Sequence, residues 1–158
     1  MHPLTKAAEV LAELAAGGTY IAGPMTGLPD FNHPAFNAAA ATLRAQGRTV
    51  INPADHGVVP GAAWEDYVRA DLALLAGCET IYLLPGWSRS RGAMLEHHVA
   101  RTLGMPVEFA DGAETEAEGQ KLHEQEGAQR FSEHHRLPAA AAATIIPAGE
   151  WPAKAVLH

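Results

Sequence analysis

The chain has 158 residues, enough for about one domain, and with 47% hydrophobic residues it can build a sizeable core. Its formal net charge of −7 argues against non-specific nucleic-acid binding, which draws on a basic surface. A single cysteine, Cys78, excludes an intramolecular disulfide and fits a reducing compartment, so a cytoplasmic location is expected. Lys6, Glu9 and Glu13 interrupt the apolar pattern near the N-terminus, unlike a secretory signal. No run of about 18 apolar residues is present to span a membrane.

In chain order, residues 4–16 read as a helix with Thr5 as N-cap and Gly17-Gly18 as its stop. "TYIAG" (19–23) is a short strand that runs into the Gly/Pro-rich loop "GPMTGLPDFNHP". Pro34 suits the first position of a helix over 34–46, which ends at Gly47. "RTVINP" (48–53) is a second strand, followed by a Gly/Pro-rich loop over 54–61. "AAWEDYVRADLALLAG" is an amphipathic helix and "ETIYLLPG" a buried strand. A helix around Glu96 and a last short strand, "GMPVEF", complete the pattern. Strands alternating with helices predict an α/β fold: a parallel sheet of four or five strands with helices on both faces. Ligands of such sheets bind beyond the carboxyl ends of the strands.

After residue 110 the composition changes. Residues 111–135 carry seven acids against Lys121 and Arg130, and five alanines follow at 139–143. An α/β domain over 1–110 and an acidic, Ala-rich extension over 111–158 are expected. The extension reads as partly helical, and as either loosely packed or used between subunits. "ATIIP" (143–147) is a candidate edge strand.

Two acids sit where apolar residues belong. Leu95, Val99 and Leu103 recur every four residues, and at about 100° per residue their arc includes Gly92 and Glu96. Trp64, Val68, Leu72 and Leu75 form the stripe of the preceding helix, with Asp71 inside it. A carboxylate there is costly unless paired, protonated or opening into a cavity. One such acid is ordinarily a structural hydrogen-bonding group. Two on helices flanking one strand point to a site, and paired acids in different environments are a recurrent arrangement for glycosyl transfer.

The loop between that strand and the Glu96 helix, "PGWSRSR" (85–91), supplies a counterpart. Ser88, Ser90 and the backbone N–H groups of a helix start form an anion site, with Arg89 and Arg91 adding charge. The plainer alternative is a polar loop in which Ser90 or Ser88 caps the helix. "GPMTG" has neither the Walker pattern nor dinucleotide-fingerprint spacing. The nine histidines include the adjacent pairs His97-His98 and His134-His135, but no metal-ligand spacing is present, and no metal site is expected. Cys78 has no evident base partner and reads as a buried, inert thiol.

In combination and in order, "YIAGPMTGLPDFNHPAFNAAAATLRAQGRTVINPAD", "WEDYVRADLALLAGCETIYLLPGW" and "SRGAMLE" resemble the nucleoside 2-deoxyribosyltransferase-like family. The closest likeness is to a branch common in bacteriophages and prophages. The resemblance covers residues 19–109 and implies a flavodoxin-like (Rossmann-like) sheet. It also implies cleavage of the N-glycosidic bond of a nucleoside or nucleotide, with transfer to water or to another base. Carried over by position, Glu96 matches the catalytic glutamate that attacks the anomeric carbon. Asp71 matches a helix aspartate near sugar and base, and Tyr20 a tyrosine that positions the site. Gly23, Pro24 and Met25 fall in the first-strand loop that lines the pocket. At the place of Ser90, nucleoside transferases usually carry an aspartate that binds the sugar. Relatives that hydrolyse nucleoside 5′-monophosphates carry a phosphate-binding serine there, and Gly92 lets the backbone approach that phosphate. The resemblance thus implies a nucleotide substrate, no cofactor, and a homodimer or higher homo-oligomer. The alternative from another class is a nucleotide-binding module without turnover.

Overall fold

The structure is a computed structural model that describes residues 17–122 and 124–125. The helix expected over 4–16, the His134-His135 pair and the candidate strand over 143–147 lie outside the described residues. Four strands, β1 (Thr19–Ala22), β2 (Val50–Ile51), β3 (Thr80–Leu83) and β4 (Val107–Phe109), alternate with three helices, α1 (His33–Ala45), α2 (Trp64–Ala76) and α3 (Arg91–Thr102). The sheet order is β2-β1-β3-β4 and every pairing is parallel. This is an α/β flavodoxin-like architecture. Short 3-10 turns follow the strands at Pro53–His56 and Trp87–Arg89, and a third, Pro29–Asn32, precedes α1.

The sheet is covered on both faces, as all-parallel sheets require. Strand alternation sends Ile21 and Leu84 towards α1, where they meet Phe36, Ala40 and Leu43. Tyr20, Ala22, Ile81 and Leu83 project to the opposite face, against Ala70, Leu74 and Leu75 of α2 and Ala93 and Ala100 of α3. The fragment read as a strand over 48–53 keeps only two ladder residues. Pro53 has no N–H to give the sheet, and Asn52 turns the chain by accepting from the Ala54 N–H at 3.1 Å.

The helix faces differ from the stripes drawn on the sequence. α3 buries Ala93 and Ala100, while Leu95 and Leu103 are 36% and 55% exposed. α2 buries Ala70, Leu74 and Leu75. Trp64, Val68 and Leu72 instead line a shallow groove between α2 and α3, with Arg91 and Leu95. The cause is steric: alanines one turn on either side of Glu96 let the α3 backbone lie close to the sheet, where leucines would hold it off. Glu96 therefore faces inward between them. Asp71, between Ala70 and Leu74, is turned inward on α2. Both acids point into the protein, as expected, but from faces lined by small residues.

The compact unit extends to residue 122, past the compositional break at residue 110. Glu114 ties this segment to the turn after β3. Its carboxylate accepts from the Gly86 N–H at 2.8 Å and the Ser88 hydroxyl at 2.7 Å, and its backbone carbonyl accepts from the Trp87 indole N–H at 2.9 Å. Gly119 then lies so close that a Cβ there would stand 2.9 Å from Trp87 and Ser88. Among the described residues, no helix is long and apolar enough to cross a membrane.

Beyond β1 the chain passes tightly against the end of β3. A Cβ on Gly23 would stand 2.8 Å from Cβ of Leu84, an atom that no rotamer change can move. Gly23→Ala should therefore destabilise the domain by about 1–3 kcal/mol through overpacking. In a domain of about 100 residues that is a Tm drop of roughly 4–8 °C per kcal/mol, read by thermal melting. An unchanged Tm would show that the two strand ends can separate at no cost.

Candidate active site

A cavity of about 550 Å³ opens beyond the carboxyl ends of β1 and β2, between the loops that follow them, α2 and the start of α3. The sheet order places β2 and β3 on opposite sides of β1, so the chain leaves β1 and β3 around the point where a parallel sheet offers a crevice. Ile21 and Gly23 line it from β1, Asp71 from α2, and Ser90, Gly92 and Glu96 from the start of α3.

Glu96 lines the cavity and is held from behind by Tyr20, which does not itself line it. Tyr20 has no exposed surface, and its hydroxyl donates to Glu96 Oε1 at 2.7 Å. Burial, and then the negative charge of Asp71, push the Glu96 carboxyl up to about 8, while the Tyr20 hydrogen bond pulls the other way. Burial and the neighbouring Glu96 and Asp71 charges hold the Tyr20 phenol well above its ordinary range. Tyr20 thus stays a donor at any working pH. Glu96 keeps its proton unless something offsets Asp71 or draws the proton away.

Asp71 has a neighbour that sequence reasoning missed. His56 Nε2 lies 3.3 Å from Asp71 Oδ1, but the two are not aligned as a hydrogen bond. Both atoms are shielded from solvent with no hydrogen-bond partner among the described residues. Buried polar atoms are ordinarily satisfied; these two meet each other at ion-pair distance without hydrogen-bond alignment. His56 ends the turn Pro53–His56, which Asn52 braces. The Asn52 amide donates to Asn37 Oδ1 at 2.9 Å and to Asp55 Oδ1 at 3.0 Å. The signal available in the sequence was position: a histidine just past a strand's carboxyl end, outside the adjacent pairs that drew attention.

The α3 start combines the two readings of its loop. Ser90 is the N-cap, its Oγ accepting from the Ala93 N–H at 3.2 Å, and it also lines the cavity. Its hydroxyl proton remains available to a ligand. A Cβ on Gly92 would meet only Ser90 Oγ, at 4.0 Å, so the missing side chain leaves room in the cavity, not in the core. Met25 lines the cavity; Pro24 does not. The Pro24 carbonyl accepts from the Asn32 side-chain amide at 2.9 Å, which shapes the loop. Ser88 is also absent from the cavity, because its hydroxyl is committed to Glu114. Burial raises the Glu114 carboxyl, but hydrogen bonds from Ser88 and backbone amides and the charge of Arg89 outweigh it, leaving the group below its ordinary range. Arg91 stacks over Trp64, its guanidinium carbon 4.1 Å from the ring centroid.

The remaining walls are aromatic and aliphatic, with Phe31, Phe36, Val59, Trp64 and Tyr67 among them. Phe31 belongs to a run of three left-handed residues, Asp30, Phe31 and Asn32, at φ 51°, 48° and 58°. Among the described residues no group of three or more His, Cys, Asp or Glu side chains is placed to hold a metal ion. Burial pushes the Cys78 thiol up to about 11, far from a reactive thiolate.

No curated protein and no solved structure matches the chain. A family model does match residues 18–109, the segment that runs from β1 through β4 and carries Tyr20, His56, Asp71, Ser90 and Glu96. The chain belongs to the family described as "Domain of unknown function (DUF4406)".

Proposed function

We propose that the protein cleaves the N-glycosidic bond of a nucleoside 5′-monophosphate, with Glu96 as nucleophile, and passes the sugar to water or to another base. The observation that carries this reading is the buried Tyr20–Glu96 pair beside Asp71, at the base of a cavity whose rim is the start of a helix. The resemblance to nucleoside 2-deoxyribosyltransferases supports it; the family description names no activity.

The residues divide the work. Tyr20 holds Oε1 of Glu96 and leaves Oε2 to face the anomeric carbon. As Glu96 attacks C1′, the C1′–N bond breaks and its electron pair leaves with the base. A glycosyl-enzyme ester forms. Water or a second base then displaces Glu96, so configuration is retained. Asp71 lies on the same side and orients the sugar or assists the base. The Ser90 hydroxyl and the first N–H groups of α3 meet the phosphate, which the partial positive charge of the helix end favours. A binding module without turnover is the second reading. It has no use for a carboxyl buried at a cost next to another acid.

Glu96→Gln keeps the shape and the acceptor for Tyr20 but removes the nucleophile. Base release, followed by chromatography, should fall by several orders of magnitude, each tenfold being about 1.4 kcal/mol of barrier. The same variant should be more stable. With its folded value raised to about 8, the native protein holds the Glu96 proton more tightly than the unfolded chain does. Stability from this group is therefore full below the unfolded value and is lost as pH rises towards 8. Glutamine never ionises, so the Tm advantage of Glu96→Gln should grow between about pH 5 and 8. A variant that is inactive but no more stable at pH 8 would mean the carboxyl is not held under strain.

The pH profile follows from the same shift. Because the nucleophile must be ionised, kcat/KM of the wild type should climb with pH and level off near 8. A profile already flat from pH 5 would place the ionisation elsewhere.

Ser90 sets the preference for phosphate. The wild type should use a deoxynucleoside 5′-monophosphate at least about tenfold better than the matching nucleoside, or 1.4 kcal/mol. Ser90→Asp should weaken the monophosphate far more than the nucleoside, by charge repulsion. Comparison of kcat/KM for both forms with both proteins tests this; equal use by the wild type would reduce Ser90 to a helix cap.

A further inference from the structure

A phosphate at the α3 start finds no counter-charge in the cavity itself. Among the described residues the lining contains no lysine or arginine, and its two acids, Asp71 and Glu96, oppose an anion. A phosphate that gives up water beside two carboxyl groups needs a cation to offset the loss.

The arginines of the described residues are engaged with acids, with one exception. Arg44 meets Asp55 at 3.0 Å and Arg48 meets Glu108 at 2.8 Å. Arg69 lies 3.8 Å from Asp66, and Arg101 lies 3.4 Å from Glu116. Arg89 acts on Glu114, whose ionised form its charge favours. Among the described arginines only Arg91 faces no carboxylate; its guanidinium rests on the Trp64 indole instead. Acids outnumber Lys and Arg by 18 to 11 in this chain, so an arginine without one is not the default.

Its place on the helix suits a phosphate. Arg91 is the first residue of α3, between Ser90 and Gly92, both of which line the cavity. Cα–Cβ bonds of a helix tilt towards its N-terminus, so the Arg91 side chain sets out towards the end where the phosphate sits. Arg91 lines the neighbouring groove and not the cavity, while Trp64 lines both. The indole is therefore the partition between them, and the exposed Arg91 side chain can cross it by turning about its own torsions. Stacking on the ring spends none of the guanidinium N–H donors. An exposed cation–π contact is also weak beside a two-pronged, charge-assisted bond to phosphate.

We infer that Arg91 is the cation that selects phosphorylated substrates: it rests on Trp64 in the empty protein and closes over a phosphate seated at Ser90. The inference rests on the nucleotide reading above and adds to it the charge that a monophosphate requires. Its ligands are the nucleoside 5′-monophosphate and the sugar phosphate left after the base departs. Lysine in the same place would supply the charge but not the fork that matches two phosphate oxygens.

The test uses the full chain and a probe that needs no knowledge of the base. Calorimetry with 2-deoxyribose 5-phosphate reads the phosphate site, with 2-deoxyribose as control. The wild type should bind the sugar phosphate, and Arg91→Ala should bind it at least tenfold more weakly and with less dependence on salt. Indole fluorescence of the wild type should change on adding the probe, as the guanidinium leaves the ring. That change should be lost in Arg91→Ala and in Trp64→Phe. With the four deoxynucleoside monophosphates and their nucleosides, the preference for the phosphorylated member should fall about tenfold in Arg91→Ala, through KM, with kcat altered only a few-fold. Arg91→Lys, which keeps the charge, should recover most of that preference; Arg91→Gln should not. A loss shared equally by nucleoside and monophosphate would mean that Arg91 only props Trp64, and overturns the inference. Unchanged binding of the sugar phosphate by Arg91→Ala overturns it too. In both cases, base release from monophosphates by the wild type leaves the reading of the site standing. If the wild type neither binds the sugar phosphate nor releases base from any of the four, that reading fails and the inference with it.

Discussion

A carboxylic acid has to be kept inside the protein beneath α3, and much of the local structure follows from that. The Tyr20–Glu96 hydrogen bond joins the central strand β1 to α3 across the core. It works only if β1 presents a phenol on the α2/α3 face and α3 lies close enough to deliver a side chain of limited reach. Ala93 and Ala100, both almost wholly buried, permit that approach. Larger residues there would bury more apolar surface, worth about 25 cal/mol per Å², and would lift Glu96 away from Tyr20. The helix gives up packing on its inner face and leaves Leu95 and Leu103 outside.

The cavity walls are fixed by three local devices of different kinds. Contact fixes the first, where Gly23 lets the end of β1 run against Leu84. A hydrogen-bonded asparagine fixes the second: buried Asn52 shapes the turn that carries His56. The third is fixed from a distance in sequence, by Glu114 satisfying Gly86 and Ser88 and receiving the Trp87 indole. A loop held this way needs little reordering should a ligand meet it, which lowers the entropic cost of binding. Ser88 contributes to the site only by this route.

The fold was legible because strand–helix alternation and Gly/Pro punctuation are local signals. The placement of Glu96, Asp71 and Ser90 at the cavity was legible too, although the stripes drawn through Leu95 and Trp64 were not the buried faces. Heptad-like spacing counts large apolar residues, and here the inner faces are built from alanine, which periodicity of size does not reveal. His56 was invisible for a different reason. Its partner Asp71 comes from another element, and nothing in "NPADHG" states that Asn52 will turn the chain so that the two meet. The involvement of residues 111–122 was hidden by composition. Acids dominate that segment, yet Glu114 is engaged because a turn with unpaired N–H groups needs an acceptor.

The same economy extends to the cavity mouth. Asp30, Phe31 and Asn32 hold consecutive left-handed conformations, each costing of order 1–3 kcal/mol for residues with a Cβ. The run is braced at one end by the Asn32 amide on the Pro24 carbonyl, and it holds Phe31 half exposed at the cavity. A flat ring entering the cavity would cover Phe31 and recover burial that the empty protein forgoes. Strain at the mouth, an acid whose burial favours its protonated form, and a His56–Asp71 contact without hydrogen-bond alignment are three separate costs. All three fall on the residues that meet in one cavity, and none of them improves the packing of the sheet.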